Sequence, residues 1–158
     1  TRSAIAGGLL AFCESPGEWQ RLQGDRELIP SAIEEILRWT SPIHHFRRTV
    51  LKETDIAGAR MRAGDRVVMW YSSANRDPAV FCEPNRFDIS RTPNEHLSFG
   101  FGRHFCLGAR LARMEVQVVL EALLERDVQV ELRGTPRYMR SNFAHSLKRM
   151  PVSLRALA

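Results

Sequence analysis

At 158 residues, 44% of them hydrophobic and 26% charged, the chain has the length and balance of one globular domain with a real core. Its apolar runs, such as 116–124, are short and interrupted or flanked by charge, which excludes a membrane span and leaves no membrane partner expected. The formal net charge of +5 does not point to nucleic acid, because arginines are scattered from Arg2 to Arg155 without an aromatic–basic signature; an acidic protein is the better partner.

The first residues, Thr1-Arg2-Ser3-Ala4-Ile5, read as the middle of a helix with no cap before it and carry no signal-peptide pattern. Ser15-Pro16 predicts an N-cap with proline at the first helical position, and a helix to about residue 23. Pro30 opens another over 31–39, with Ile33, Ile36 and Leu37 on one face and Pro42 beyond its end. Residues 46–51, 55–57 and 66–70 have strand composition, separated by turns at Gly58 and Gly64, and predict a small antiparallel sheet. Residues 77–91 lack periodicity and predict a packed meander. Leu107, Leu111, Met114 and Val118 recur at helical spacing and predict one face of a long helix ending near Asp127. Strands are expected at 128–132, 139–143 and 147–154, with turns at Gly134-Thr135-Pro136 and near His145. The fold class is mainly α with a minor antiparallel β component.

The densest chemistry lies in Phe99-Gly100-Phe101-Gly102-Arg103-His104-Phe105-Cys106-Leu107-Gly108. A cysteine between a glycine-rich loop and a helix N-terminus is placed to ionise, and the thiolate is the nucleophile or metal ligand. Phe99 supplies an apolar wall against water. Gly100 and Gly102 permit a tight turn, and Gly108 permits close approach of a flat ligand. His104 is positioned to meet an acidic ligand substituent. The bland alternatives are a buried small hydrophobe or a phosphate cradle. A zinc site from His96, His104 and Cys106 is disfavoured, since no second closely spaced ligand pair exists. The three cysteines, Cys13, Cys82 and Cys106, are odd in number and widely spaced, which argues against a disulfide framework and for a reducing cytoplasm.

Glu35 and Arg38 form an i,i+3 pair on the second predicted helix. Such pairs usually line a solvated face. With Ile36 and Leu37 between them, the alternative is a buried pair that needs a further partner, for which Arg86 in Pro84-Asn85-Arg86-Phe87 is the candidate.

Taken in order, Glu35-Ile36-Leu37-Arg38, Pro84-Asn85-Arg86-Phe87 and the Cys106 loop resemble the cytochrome P450 family. Ala74-Asn75-Arg76-Asp77-Pro78 and Leu111-Ala112-Arg113-Met114-Glu115 resemble its soluble bacterial members. The resemblance implies haem b as cofactor, with Cys106 as the proximal thiolate ligand of the iron, and His104 and Arg48 on the propionates. It implies a structural charge triad of Glu35, Arg38 and Arg86, and a substrate pocket that includes Ile43, His44, Phe143 and Ala144. The implied activity is a monooxygenase that inserts one oxygen atom from O2 into a hydrophobic substrate (sterol, terpenoid or lipid), with electrons from a ferredoxin-type partner meeting Arg103, Arg110 or Arg113. A peroxide-dependent peroxygenase and a non-catalytic haem-binding module are the alternatives. The implied domain organisation is the C-terminal portion of one P450 domain: the end of the central helix, the Glu-x-x-Arg helix, a small sheet, the meander, the Cys loop, the proximal helix and a C-terminal hairpin. The oxygen-activating residues are then expected upstream of Thr1, a fragment without activity of its own is expected, and the full-length protein is expected to be a monomer.

Overall fold

Helix α1 (Arg2–Glu14) crosses α3 (Ile29–Thr40) with its slim glycine face against Ile36 and Thr40. A Cβ at Gly8 would sit 2.8 Å from Ile36 Cγ2, and one at Gly7 would sit 2.6 Å from Thr40 Cγ2, so only glycine allows this approach. The computed structural model describes residues 1–156.

Proline in the first turn starts both α2 (Pro16–Gly24) and α3, where its missing N–H has no helical acceptor to lose. A 3-10 turn (Arg26–Leu28), with Asp25 accepting from the Glu27 N–H, leads into α3. That helix ends at Ser41, which takes a left-handed conformation (φ 38°). The core lies between α1, α2, α3 and α5 (Ala109–Glu125). Leu22, Ala32, Ile36, Leu37, Ile89, Val116 and Leu120 are closed to solvent there, and each large side chain so buried contributes about 1.5–3 kcal/mol. An aromatic cluster joins α1 and α2 to the meander: Phe12 packs edge-on against Trp19 and Phe87, and Trp39 tilts against Phe87.

The predicted small sheet is two separate antiparallel pairs. Strand β1 (His45–Thr49) pairs with β4 (Arg66–Trp70), and between them in the chain β2 (Thr54–Ile56) and β3 (Ala59–Met61) form a hairpin; β3 is the strand that composition did not signal. A one-turn helix, α4 (Tyr71–Ala74), follows β4. After α5, β5 (Val128–Leu132) pairs with β8 (Val152–Ala156), and β6 (Arg137–Tyr138) pairs with β7 (Leu147–Arg149). The run expected as one strand over 147–154 is broken at Met150-Pro151, because proline offers no N–H to a ladder. The strand expected at 139–143 is displaced to β6.

Helix α5 departs from the sequence reading in two ways. It begins at Ala109, so a turn at Leu107 and Gly108 separates Cys106 from the helix N-terminus. Its buried stripe is Ala109, Ala112, Val116, Leu120 and Leu124, while Leu107, Leu111, Met114 and Val118 are exposed. The helix carries two apolar stripes. The one led by alanines turns toward α3 because small side chains let the axes approach.

Candidate functional site

Cys106 is held from both sides of its loop. Its N–H donates to the Phe99 carbonyl (2.8 Å), closing the loop, and its carbonyl accepts from the Ala109 N–H (3.2 Å) at the start of α5. Gly100 takes φ +73° and Gly102 φ +63°, a region that side chains resist. A Cβ at Gly100 would also meet the His104 carbonyl at 3.2 Å and the Tyr71 hydroxyl at 3.3 Å, so this position needs glycine twice over. The thiol side of the loop is open: Cys106 is exposed.

A concavity of ≈ 310 Å³ runs along this loop, lined by Ile43, Phe46, Arg48, Phe99, Gly100, His104 and Cys106 among others. An adjoining one of ≈ 400 Å³ shares Arg48, Tyr71, Gly100 and His104 with it. One recess therefore presents a sulfur, an apolar wall and two basic side chains. Arg48 makes no ion pair among the described residues; its guanidinium donates only to the Arg47 carbonyl (3.0 Å). A flat apolar group with carboxylates at one edge and a thiolate-binding metal at its centre fits that donor set.

The predicted residues are not all on this recess. Ile43 lines it and pairs with Ala144 in an isolated bridge. Phe143 reaches toward it edge-on against Phe46 (5.5 Å). The His44 backbone joins this corner, its N–H donating to the Phe143 carbonyl (2.8 Å), but its ring turns away and stacks on His145 (5.0 Å), which in turn stacks on Tyr138 (5.2 Å). Burial, then the neighbouring His145 and His45, push the His44 pKa down. Gly102 has open space around it, and Gly108 faces the Cys106 Sγ (3.9 Å from a Cβ there). Among the described residues, no three His, Cys, Asp or Glu side chains gather to hold a metal, and His96 lies elsewhere, on Glu34.

Behind the recess, Glu35 and Arg38 form a bidentate pair (2.7 and 2.8 Å) with both side chains fully buried. Arg38 also donates to the carbonyls of Asn75 (2.8 Å), Pro84 (2.9 Å) and Arg86 (3.1 Å), so every arm of the guanidinium is used. The third member differs from the expected one. The Arg86 side chain is exposed and pairs with Glu83, while Arg91 reaches Glu35 (3.1 Å) with only 9% of its side chain exposed. The reason lies in the backbone: Glu83 is left-handed (φ 46°), and the turn closed by the Arg86 N–H on the Glu83 carbonyl points the Arg86 carbonyl inward and its side chain outward. The Asp88 N–H and the Asn94 amide complete the shell of Glu35.

Several positioning residues gave no periodic signal in the sequence. Buried Asn75 donates to Ser41 and Ser98 (both 2.9 Å) and accepts from the Leu97 N–H (2.7 Å). Ser98 donates to the Leu37 carbonyl (2.7 Å), tying the segment before the Cys loop to α3. Arg76 caps the C-terminal end of α3 through the Trp39 carbonyl (3.0 Å) and stacks on the Trp39 ring (4.2 Å). Burial and the nearby Arg38 charge bring its guanidinium down to about 10, still protonated at neutral pH. Each of these residues bonds to a carbonyl or amide distant in sequence, and hydropathy cannot register such contacts.

Similarity to known proteins decides the family. The family model for cytochrome P450 matches residues 18–151. The chain belongs to the cytochrome P450 family. It is 49% identical over 155 residues to cytochrome P450 126 of Mycobacterium tuberculosis, covering 98% of this chain and 37% of that protein. It is 44% identical over 155 residues to the methyl-branched lipid omega-hydroxylase of Mycobacterium bovis, covering 97% of this chain and 36% of that protein. The solved structure of cytochrome P450-153 from Novosphingobium aromaticivorans superposes with a TM-score of 0.94 at 37% identity, over 97% of this chain and 39% of that one. The chain thus spans under half the length of these P450 relatives. Its helices and small antiparallel sheets are part of the P450 fold, a fold that carries haem. No helix among the described residues is long and apolar enough to cross a membrane.

Proposed function

We propose that this chain holds haem b through Cys106 and serves a monooxygenase that inserts one oxygen atom of O2 into a hydrophobic organic substrate. The observation that carries this reading is the single recess on which the Cys106 sulfur, the Phe99 wall and the Arg48 and His104 side chains meet. With no other metal-ligating cluster among the described residues, a lone thiolate suits a metal whose remaining ligands come with a prosthetic group. A thiolate-ligated haem supplies electron density that favours O–O cleavage.

The residues of this chain do the rest. Cys106 provides the sulfur, and the Phe99 carbonyl fixes its backbone. Arg48 and His104 bind the carboxylates of the cofactor, replacing the water those basic groups would otherwise hold. Gly100 keeps the loop thin on the cofactor side, while Gly102 and Gly108 shape the turn on either side of the sulfur. Ile43, with Phe143 and Ala144 behind it, forms apolar surface for substrate; the His44 ring, turned toward His145, takes no part. Relatives of comparable identity are named a linalool 8-monooxygenase (42%), a steroid C26-monooxygenase (42%) and a methyl-branched lipid omega-hydroxylase (44%), which supports the sterol, terpenoid or lipid range as a whole. A ferredoxin-type acidic partner would meet Arg103 and Arg110, both exposed and unpaired among the described residues, rather than Arg113, which is committed to Glu34. Glu35, Arg38 and Arg91 hold the scaffold behind the loop.

The test is the carbon monoxide difference spectrum of the reduced, full-length protein. The unsubstituted protein is expected to give the band of a thiolate-ligated haem and Cys106→Ala to lose it. An unchanged band in the variant would overturn the assignment of the ligand.

A further inference from the structure

Glu34 and Glu35 are adjacent on α3 but serve different neighbours around the helix. Glu35 faces the meander, whereas Glu34 takes both arms of Arg113 from α5, Nε on Oε1 (2.6 Å) and a terminal nitrogen on Oε2 (2.7 Å). The same Oε2 lies 3.0 Å from His96 Nε2. His96 is buried, with 4% of its side chain exposed, and its Nδ1 accepts from the Ser98 N–H (3.3 Å). The ring proton therefore sits on Nε2 and is donated to Glu34. Burial opposes ionisation of Glu34, but the hydrogen bonds from Arg113 and His96 outweigh it and bring the carboxyl down to about 2, so the pair is ionic at neutral pH.

This ion pair does not end at the surface. The Arg113 guanidinium lies over the Phe99 ring, 4.7 Å from its centre. Phe99 lines the Cys106 recess, and its carbonyl receives the Cys106 N–H. A chain of contacts thus runs from His96 through Glu34 and Arg113 to the aromatic wall beside the sulfur. An ordinary surface salt bridge has no such aromatic end, and it stabilises little.

We propose that Glu34, Arg113 and His96 are positioning residues that hold Phe99 against the Cys106 loop and balance the charge behind it, so that the pair sets the reduction potential of the iron carried there. The inference rests on the haem-thiolate reading and deepens it. Its signature is one of sign. Removing the carboxylate leaves an uncompensated cation, which favours the added electron and raises the potential. Removing the guanidinium leaves an anion, which lowers it. Removing both restores neutrality.

The experiment is potentiometric titration of the haem-loaded, full-length protein carrying Glu34→Gln, Arg113→Gln, both together, or Arg113→Lys. The expected result is a shift of about tenfold in the ferric-to-ferrous ratio, equivalent to about 59 mV for one electron, upward for Glu34→Gln and downward for Arg113→Gln. The double variant returns near the unsubstituted value, and Arg113→Lys, which keeps the charge, stays close to it. Thermal unfolding of each variant accompanies the titration. Shifts of the same sign in both single variants, or a larger shift in the double, would mean that the residues only hold the loop in shape and would overturn the inference. So would potentials that do not move. If the unsubstituted protein lacks the thiolate-type carbon monoxide band, the haem-thiolate reading itself falls and the inference falls with it; if the band is present, the titration judges the inference alone.

Discussion

Replacing Arg91 with methionine should destabilise this protein far more than the same change at Arg86, although Arg86 occupies the recognisable motif. Arg91 Nε donates to Glu35 Oε2 at 3.1 Å, and its terminal nitrogens reach the carbonyls of Cys82 (2.6 Å), Glu83 (3.2 Å) and Arg86 (3.0 Å). Glu35 is fully buried, so losing one of its cations cannot be offset by water. Severing a buried ion pair outright costs about 3–5 kcal/mol, but Arg38 stays bidentate on Glu35, which brings the expected cost to about 2–3 kcal/mol. The Arg86 guanidinium has 56% of its side chain exposed and meets only Glu83, itself exposed. Its loss should cost no more than about 0.5 kcal/mol, because methionine keeps the inward backbone carbonyl that Arg38 uses. Equilibrium urea unfolding followed by tryptophan fluorescence reads the difference, since Trp19 is buried in the core. With a slope of about 1–3 kcal/mol per molar urea, Arg91→Met should move the midpoint by about 0.7–3 M. Equal destabilisation by the two variants, or a larger effect at Arg86, would refute the assignment of the third triad member.

Further outcomes follow from the same contacts. Gly8→Ala should destabilise the α1–α3 crossing by about 1–3 kcal/mol through overpacking, whereas Gly17→Ala, where a Cβ meets nothing within 4 Å, should stabilise α2; a scan of melting temperatures that ranks them the other way would be inconsistent with the close approach. The Glu34 carboxyl is held at about 2 against an ordinary 4.5. A depressed carboxyl stabilises the folded state fully above the higher value and loses that contribution as pH falls through the lower one, here at most about 3 kcal/mol before solvent screening. Acid titration of stability should therefore be flatter for Glu34→Gln than for the unsubstituted chain between pH 4.5 and 2, and identical profiles would rule the linkage out. Gly100→Ala should weaken haem retention, measured by transfer to apomyoglobin, because the left-handed backbone and the Tyr71 hydroxyl both resist a methyl group.

Much of the site could be read from residues alone because its chemistry is local. The Cys106 loop is contiguous, and glycines at positive φ and a helix start announce themselves in ten residues. Glu35 and Arg38 sit one helical turn apart, so their pairing was readable, while their burial was one of two alternatives that only packing decided. The third cation was misplaced because a motif shows which residues are near in sequence, while the path of the meander, with a left-handed residue at Glu83, sets which arginine turns inward. Glu34 was passed over for a related reason: it neighbours Glu35, but its partners His96 and Arg113 stand 62 and 79 residues away.

Local sequence signals located the main helices of this P450 chain, the aperiodic meander and the thiol that ends its glycine loop, since backbone propensity and turn chemistry act over a few residues. It did not choose between the two apolar stripes of α5, because both satisfy the same 3.6-residue period. Tertiary packing made that choice, turning the alanine-led stripe onto α3 and leaving Leu111 and Met114 outside. The same packing brought Arg48, His104 and Cys106 to one recess and laid Arg113 over Phe99. Those convergences depend on how distant segments meet, and only the folded chain specifies that.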